Sequence, residues 1–87
     1  MSRTKTKAEQ HAATRAALLR EARRVFTAAG YAEAATEDIV RRAAVTRGAL
    51  YYHFRDKRAL FEAVVDDVAR GIADRIDAAS MPAKDAF

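Results

Sequence analysis

The stretch at residues 36–57 reads TEDIVRRAAVTRGALYYHFRDK. Its first half puts Ile39, Val40 and Ala43 on one side of a short helix. Thr36 is the expected N-cap, and Glu37 and Asp38 fall in the first turn, where the helix dipole favours negative charge. Ala44 and Val45 form a tight link. Thr46 is the next expected N-cap, for a helix from Arg47 to about His53 with Ala49, Leu50 and Phe54 turned inward. Phe54, Arg55 and Asp56 then make a turn, with Asp56 as a further N-cap. Two short helices joined by a three- or four-residue link, behind a longer helix, describe a helix-turn-helix.

Outward from this stretch, the flanking segments are also helical. Upstream, the helix period begins near Ala13; either Thr14 caps it or the Ala-rich residues before Thr14 are helical too. Leu18, Leu19, Ala22, Val25, Phe26 and Ala29 make one apolar stripe, while Arg15, Arg20, Glu21, Arg23 and Arg24 take other faces. Gly30 ends this helix in the left-handed conformation. Downstream, a helix runs from Lys57 to about Ala79 with a stripe of Leu60, Phe61, Val64, Val65, Val68, Ile72 and Ile76, and Pro82 stops it. Gly71, inside this helix, suggests close packing against a neighbour. The expected organisation is a basic arm over 1–12, a helix-turn-helix domain over 13–56, a linking helix over 57–80 and a tail over 81–87. The fold class is all-α: a three-helix, homeodomain-like bundle with a long fourth helix.

Composition agrees. Twenty-two of the 87 residues are Ala, the best helix former, while three Gly and one Pro are too few for an all-β chain. Cysteine is absent, so neither disulfides nor thiolate metal sites are expected, and a cytoplasmic location fits. No apolar run approaches the ~18 residues of a membrane span, and the polar N-terminus is not a secretory signal. The net charge is +4, unevenly spread. Residues 1–57 carry twelve basic and six acidic side chains, and residues 58–87 carry four and six. The basic part is suited to a polyanion.

Duplex DNA makes specific demands that residues 46–57 can meet. A recognition helix brings its N-terminal residues to the base edges of the major groove. Arg47 stands there, and its guanidinium matches guanine O6 and N7. Gly48 lets the backbone approach closely. Tyr51, Tyr52 and His53 supply donors toward the flanking phosphates, and Lys57 lies at a helix start that also favours an anion. Thr36 and its neighbouring amides can hold a phosphate on the other side. His53 has a second reading as a cap near the negative end of its helix, and the tyrosines have one as core aromatics. Arg41 and Arg42 read as a solvated face. Catalytic, cofactor and metal sites are not expected: there is no HExxH, Gly-rich phosphate loop or nucleophile elbow, and His11 has no ligand partner at helical spacing.

The stretch at 36–57 closely resembles the DNA-binding motif of the tetracycline-repressor (TetR) family, most specifically in LYYHF at 50–54, Lys57 and Leu60-Phe61. FTAAGY at 26–31 resembles the end of that family's first helix. The resemblance covers roughly residues 14–68. It implies a DNA-binding head whose fourth helix leads to a helical ligand-binding and dimerising domain absent from these residues. It further implies a homodimeric, ligand-responsive bacterial repressor that binds a palindromic operator and meets its small-molecule effector through that other domain. Residue by residue, Arg47 and Gly48 take base-contacting places, while Thr36, Thr46, Tyr51, Tyr52, His53 and Lys57 take phosphate-contacting places. The family's turn often carries Gly where this chain has Ala44, a departure that costs ~1 kcal/mol if φ is positive there.

Two readings of other kinds stand beside this one. A helical protein-interaction module would use the exposed stripe of the fourth helix. A membrane-surface helix would rest on the basic first helix, but that helix's apolar stripe is needed for the core.

Overall fold

A computed structural model describes residues 6–85, with side chains through residue 72. The described residues form four helices: α1 (Lys7–Ala29), α2 (Thr36–Ala43), α3 (Arg47–His53) and α4 (Lys57–Asp85). The expected arm lies only partly inside this range. Residues 1–5 fall outside it, and residues 7–12 are helical rather than an arm. The cause is a capping box. The Thr6 hydroxyl accepts from the Glu9 N–H at 3.1 Å, and the Glu9 carboxylate accepts from the Thr6 N–H at 2.8 Å. Two otherwise unpaired donors are thereby satisfied, and the helix starts about three turns before the apolar stripe.

Gly30 ends α1, donating its N–H to the Phe26 carbonyl at 2.9 Å. Its φ of 83° is positive as expected, but ψ is 164°, so it is not in the left-handed helical region. This is a region essentially reserved for glycine, and it turns the chain away toward α2. Ala35, not Thr36, is the N-cap of α2, and no side chain caps that helix. Alanine has no side-chain acceptor to offer, and Thr36 already has helical backbone as the first residue of the element.

The α2–α3 link is a Schellman motif. Ala44 donates to the Arg41 carbonyl at 3.2 Å, and Val45 donates to the Val40 carbonyl at 3.1 Å. This geometry needs a left-handed residue, and Ala44 supplies it with φ 58° and ψ 42°. Val40 and Val45 pack against the core, closing the motif with an apolar contact. Thr46 then caps α3, accepting from Ala49 N–H at 3.0 Å, and Asp56 caps α4, accepting from Ala59 N–H at 2.8 Å.

The four helices meet in one core. Leu18, Leu19, Ala22, Val25 and Phe26 come from α1, Ala34 from the first connector, Ile39 from α2, Leu50 and Phe54 from α3 with its cap, and Leu60 and Val64 from α4. Leu18, Ile39, Leu50 and Leu60 are fully buried. Leu50 and Phe54, four residues apart, anchor α3 by one side and leave its other side free. Two stripe assignments change. Ala29 is exposed, because it stands beside the terminal glycine. Glu21 is buried although it was assigned to a polar face. It lies three residues after Leu18 and four before Val25, on the stripe itself, and its carboxylate is paired there with Arg20 at 3.3 Å and Arg24 at 3.9 Å.

Along α4 the stripe runs off the core: Leu60 and Val64 are buried, whereas Val65 and Ile72 stay about half exposed. The Ile76 side chain lies outside the described residues. A Cβ on Gly71 would meet nothing within 4 Å, so the expected close packing is not found there. The helix does not stop near Ala79 but continues through Pro82 to Asp85. Proline removes the bond its own nitrogen would donate and its ring crowds the carbonyl four residues back, which disfavours a helix interior without forbidding it. The tail residues 86 and 87 lie outside the described range.

Candidate nucleic-acid interface

Anchoring α3 by Leu50 and Phe54 sends Arg47, Tyr51 and Tyr52 outward. Arg47 is the first residue of α3, and its side chain is 68% exposed. Gly48 is exposed, and a Cβ built on it would meet only the Thr46 hydroxyl, at 3.8 Å. The fold therefore does not require glycine at this position. Tyr51 and Tyr52 are 42% and 69% exposed, which removes the core reading for both.

The phosphate candidates are distributed around these residues. The Thr46 hydroxyl oxygen caps α3 and retains its own proton as a donor. Thr36 opens α2 at a terminus that no side chain caps, so the first amides of that helix face outward with the positive end of its dipole. Lys57 is already engaged. Its ammonium donates to the carbonyls of Ala34 at 2.9 Å and Ala32 at 3.3 Å, and lies 4.8 Å from the centre of the Tyr31 ring. Tyr31 in turn packs on Phe26 and Phe61. Lys57 thus clamps the α1–α2 connector to the start of α4, with one of its three protons left for another partner.

His53 is partly buried at the end of α3, and the residue that caps the helix is Phe54, whose N–H donates to the Leu50 carbonyl. The His53 ring lies 5.0 Å from Tyr52 and 5.9 Å from His11. Burial, then the nearby His11 and Arg15, push its imidazole below the ordinary value of 6.5. The neutral form this favours keeps one ring N–H as a donor.

Three residues have a place at this surface that the sequence did not show. His11 packs 5.0 Å from Tyr52, and the Arg15 guanidinium lies 5.1 Å from the centre of the Phe54 ring. These two are four residues apart and share a face of α1, a spacing that becomes readable once the helix is known to start at Lys7. The third is Glu37, whose Oε2 lies 3.9 Å from Arg47 Nη1. Arg41 and Arg42 are exposed and paired with Asp38, in keeping with a solvated face.

A short helix anchored by one face, its N-terminus carrying an exposed arginine beside a bare glycine, and a second helix end without a side-chain cap define a helix-turn-helix DNA-binding domain. The sequence comparisons agree. Residues 18–64 match the family described as "Bacterial regulatory proteins, tetR family", and the chain belongs to that family. It is 51% identical over 43 residues to the A-factor receptor protein of Streptomyces griseus, covering 49% of this chain and 16% of that protein. It is 41% identical over 66 residues to the HTH-type transcriptional regulator TtgR of Pseudomonas putida, covering 76% of this chain and 30% of that one. The HTH-type transcriptional repressor BepR of Brucella suis is 42% identical over 65 residues, covering 75% and 30%. The chain spans less than a third of the length of these relatives. Among the described residues no helix is long and apolar enough to cross a membrane.

Proposed function

We infer that this chain is the sequence-reading head of a ligand-responsive, homodimeric transcriptional repressor, acting in the cytoplasm on a palindromic operator. The observation that carries this reading is the outward N-terminus of α3, where Arg47 and Gly48 stand free of the core. Arg47 and Gly48 contact bases. Thr36, Thr46, Tyr51, Tyr52, His53 and Lys57 contact phosphates on either side, which sets the register in which Arg47 meets its base. The domain organisation follows: a DNA-binding head through residue 56, and α4 leading to a ligand-binding and dimerising domain. Repression by occupancy suits such a head, because two heads held on one dimer bind two half-sites with a high effective concentration. Catalysis has no part in the reading.

Selection from a random duplex pool at two salt concentrations, with Arg47→Ala alongside, tests this function. The expected result is a short enriched motif whose preference at one base pair is lost in Arg47→Ala. Affinity should fall with salt by a log–log slope of about −0.9 for each phosphate contact. No enrichment together with a flat salt dependence would contradict it. That outcome would favour the protein-interaction reading, which rests on the half-exposed Val65 and Ile72 of α4.

A further inference from the structure

Arg47 does not stand alone at the surface assigned to base reading. Its guanidinium faces the Glu37 carboxylate at 3.9 Å, and both side chains are about two-thirds exposed. Among the described residues this ion pair joins the first turn of α2 to the first turn of α3. Asp38, the neighbouring carboxylate, is occupied differently: it pairs with Arg41 and Arg42 on its own helix. Glu37 therefore directs a negative charge into the surface that is to meet a polyanion. Such a charge weakens binding to every phosphate backbone alike unless a base edge compensates for it.

The major-groove edge of a guanine·cytosine pair offers that compensation. Guanine presents two acceptors, O6 and N7, and cytosine beside it presents the N4 amino donor. A guanidinium with a carboxylate next to it carries the complementary order of donors and acceptor. We propose that Glu37 is a specificity-determining residue that reads, together with Arg47, a single guanine·cytosine pair: Arg47 donates to guanine O6 and N7, and Glu37 accepts from cytosine N4. The inference rests on the DNA-reading assignment of α3. In the free chain the carboxylate also holds the guanidinium near its working position, so less side-chain freedom is lost on binding.

Glu37 is exposed and its side chain caps nothing, so its variants are expected to fold as the parent does. The test uses the duplex motif selected by the parent chain and the same duplex with the Arg47-dependent guanine·cytosine pair inverted. Affinities of the parent, Glu37→Ala and Glu37→Gln are measured for both. Glu37→Ala is expected to reduce discrimination between the two duplexes roughly tenfold. Glu37→Gln keeps an acceptor oxygen without the charge. It is expected to retain most of the discrimination while binding both duplexes more tightly. Equal strengthening on both duplexes by Ala and Gln, with discrimination intact, would overturn the proposal by reducing Glu37 to a repulsive charge. A parent chain with no base preference at all would overturn the DNA-reading assignment itself, and with it the role of Glu37.

Discussion

At the scale of single residues, two backbone positions carry opposite costs. Ala44 holds the left-handed conformation with a Cβ, at φ 58°. Ala44→Gly is expected to raise stability by up to ~1 kcal/mol, seen as a higher midpoint in urea, with the helix-turn-helix geometry unchanged. Gly30→Ala should do the reverse, at a cost of ~1–3 kcal/mol, because φ 83° with ψ 164° excludes a side chain even though nothing crowds the site. Both residues were legible as turn formers. The value of ψ at Gly30 was not, since glycine is permitted in both regions and only the direction of the following connector chooses between them. His53 supplies a pH dependence. Its proton is bound less tightly in the folded chain than in the unfolded one, because burial and the neighbouring His11 and Arg15 disfavour the imidazolium. The contribution of His53 to stability is therefore full above pH 6.5 and is lost as pH falls through the lowered folded value. Urea midpoints between pH 7.5 and 5 should show this decline, and His53→Asn should flatten it.

At the scale of elements, the helices of the motif were readable because their apolar spacings and caps agree. Thr46 and Asp56 both cap as their positions suggested, and Leu50 and Phe54 both point inward. The start of α1 was missed because the apolar stripe begins near Leu18 while the capping signal, Thr6 with Glu9 three residues on, stands well before it. The burial of Glu21 was hidden by its charge, although its spacing placed it on the core face. The role of Lys57 could not be seen in sequence at all, since its partners are backbone carbonyls more than twenty residues away. This clamp leads to a distinguishing expectation. Lys57→Ala should weaken DNA binding on every sequence and also cost about 1–2 kcal/mol of stability, through loss of the charged hydrogen bonds. Tyr52→Phe, at a side chain 69% exposed, should affect binding alone. Chemical denaturation of both variants beside their duplex affinities checks the contrast.

At the scale of the whole molecule, the chain has two unlike surfaces. One carries Arg47, Gly48, Tyr51, Tyr52 and the open end of α2. The other is the apolar run of α4 that continues past the core through Val65 and Ile72. The first was legible from its residue types, because arginine, glycine and tyrosine outside an apolar stripe have few uses in so small a core. The second was legible only as a stripe; which of its members the core covers depends on how far α1 runs beside α4. The first surface, and not the second, is the one proposed to meet DNA. Amide chemical-shift mapping of the labelled chain during titration with its selected duplex tests this most directly. The largest shifts are expected at Thr36, Glu37 and residues 46–57, with Val65 and Ile72 unmoved. Shifts concentrated along α4, or none on α3 at saturating duplex, would contradict it.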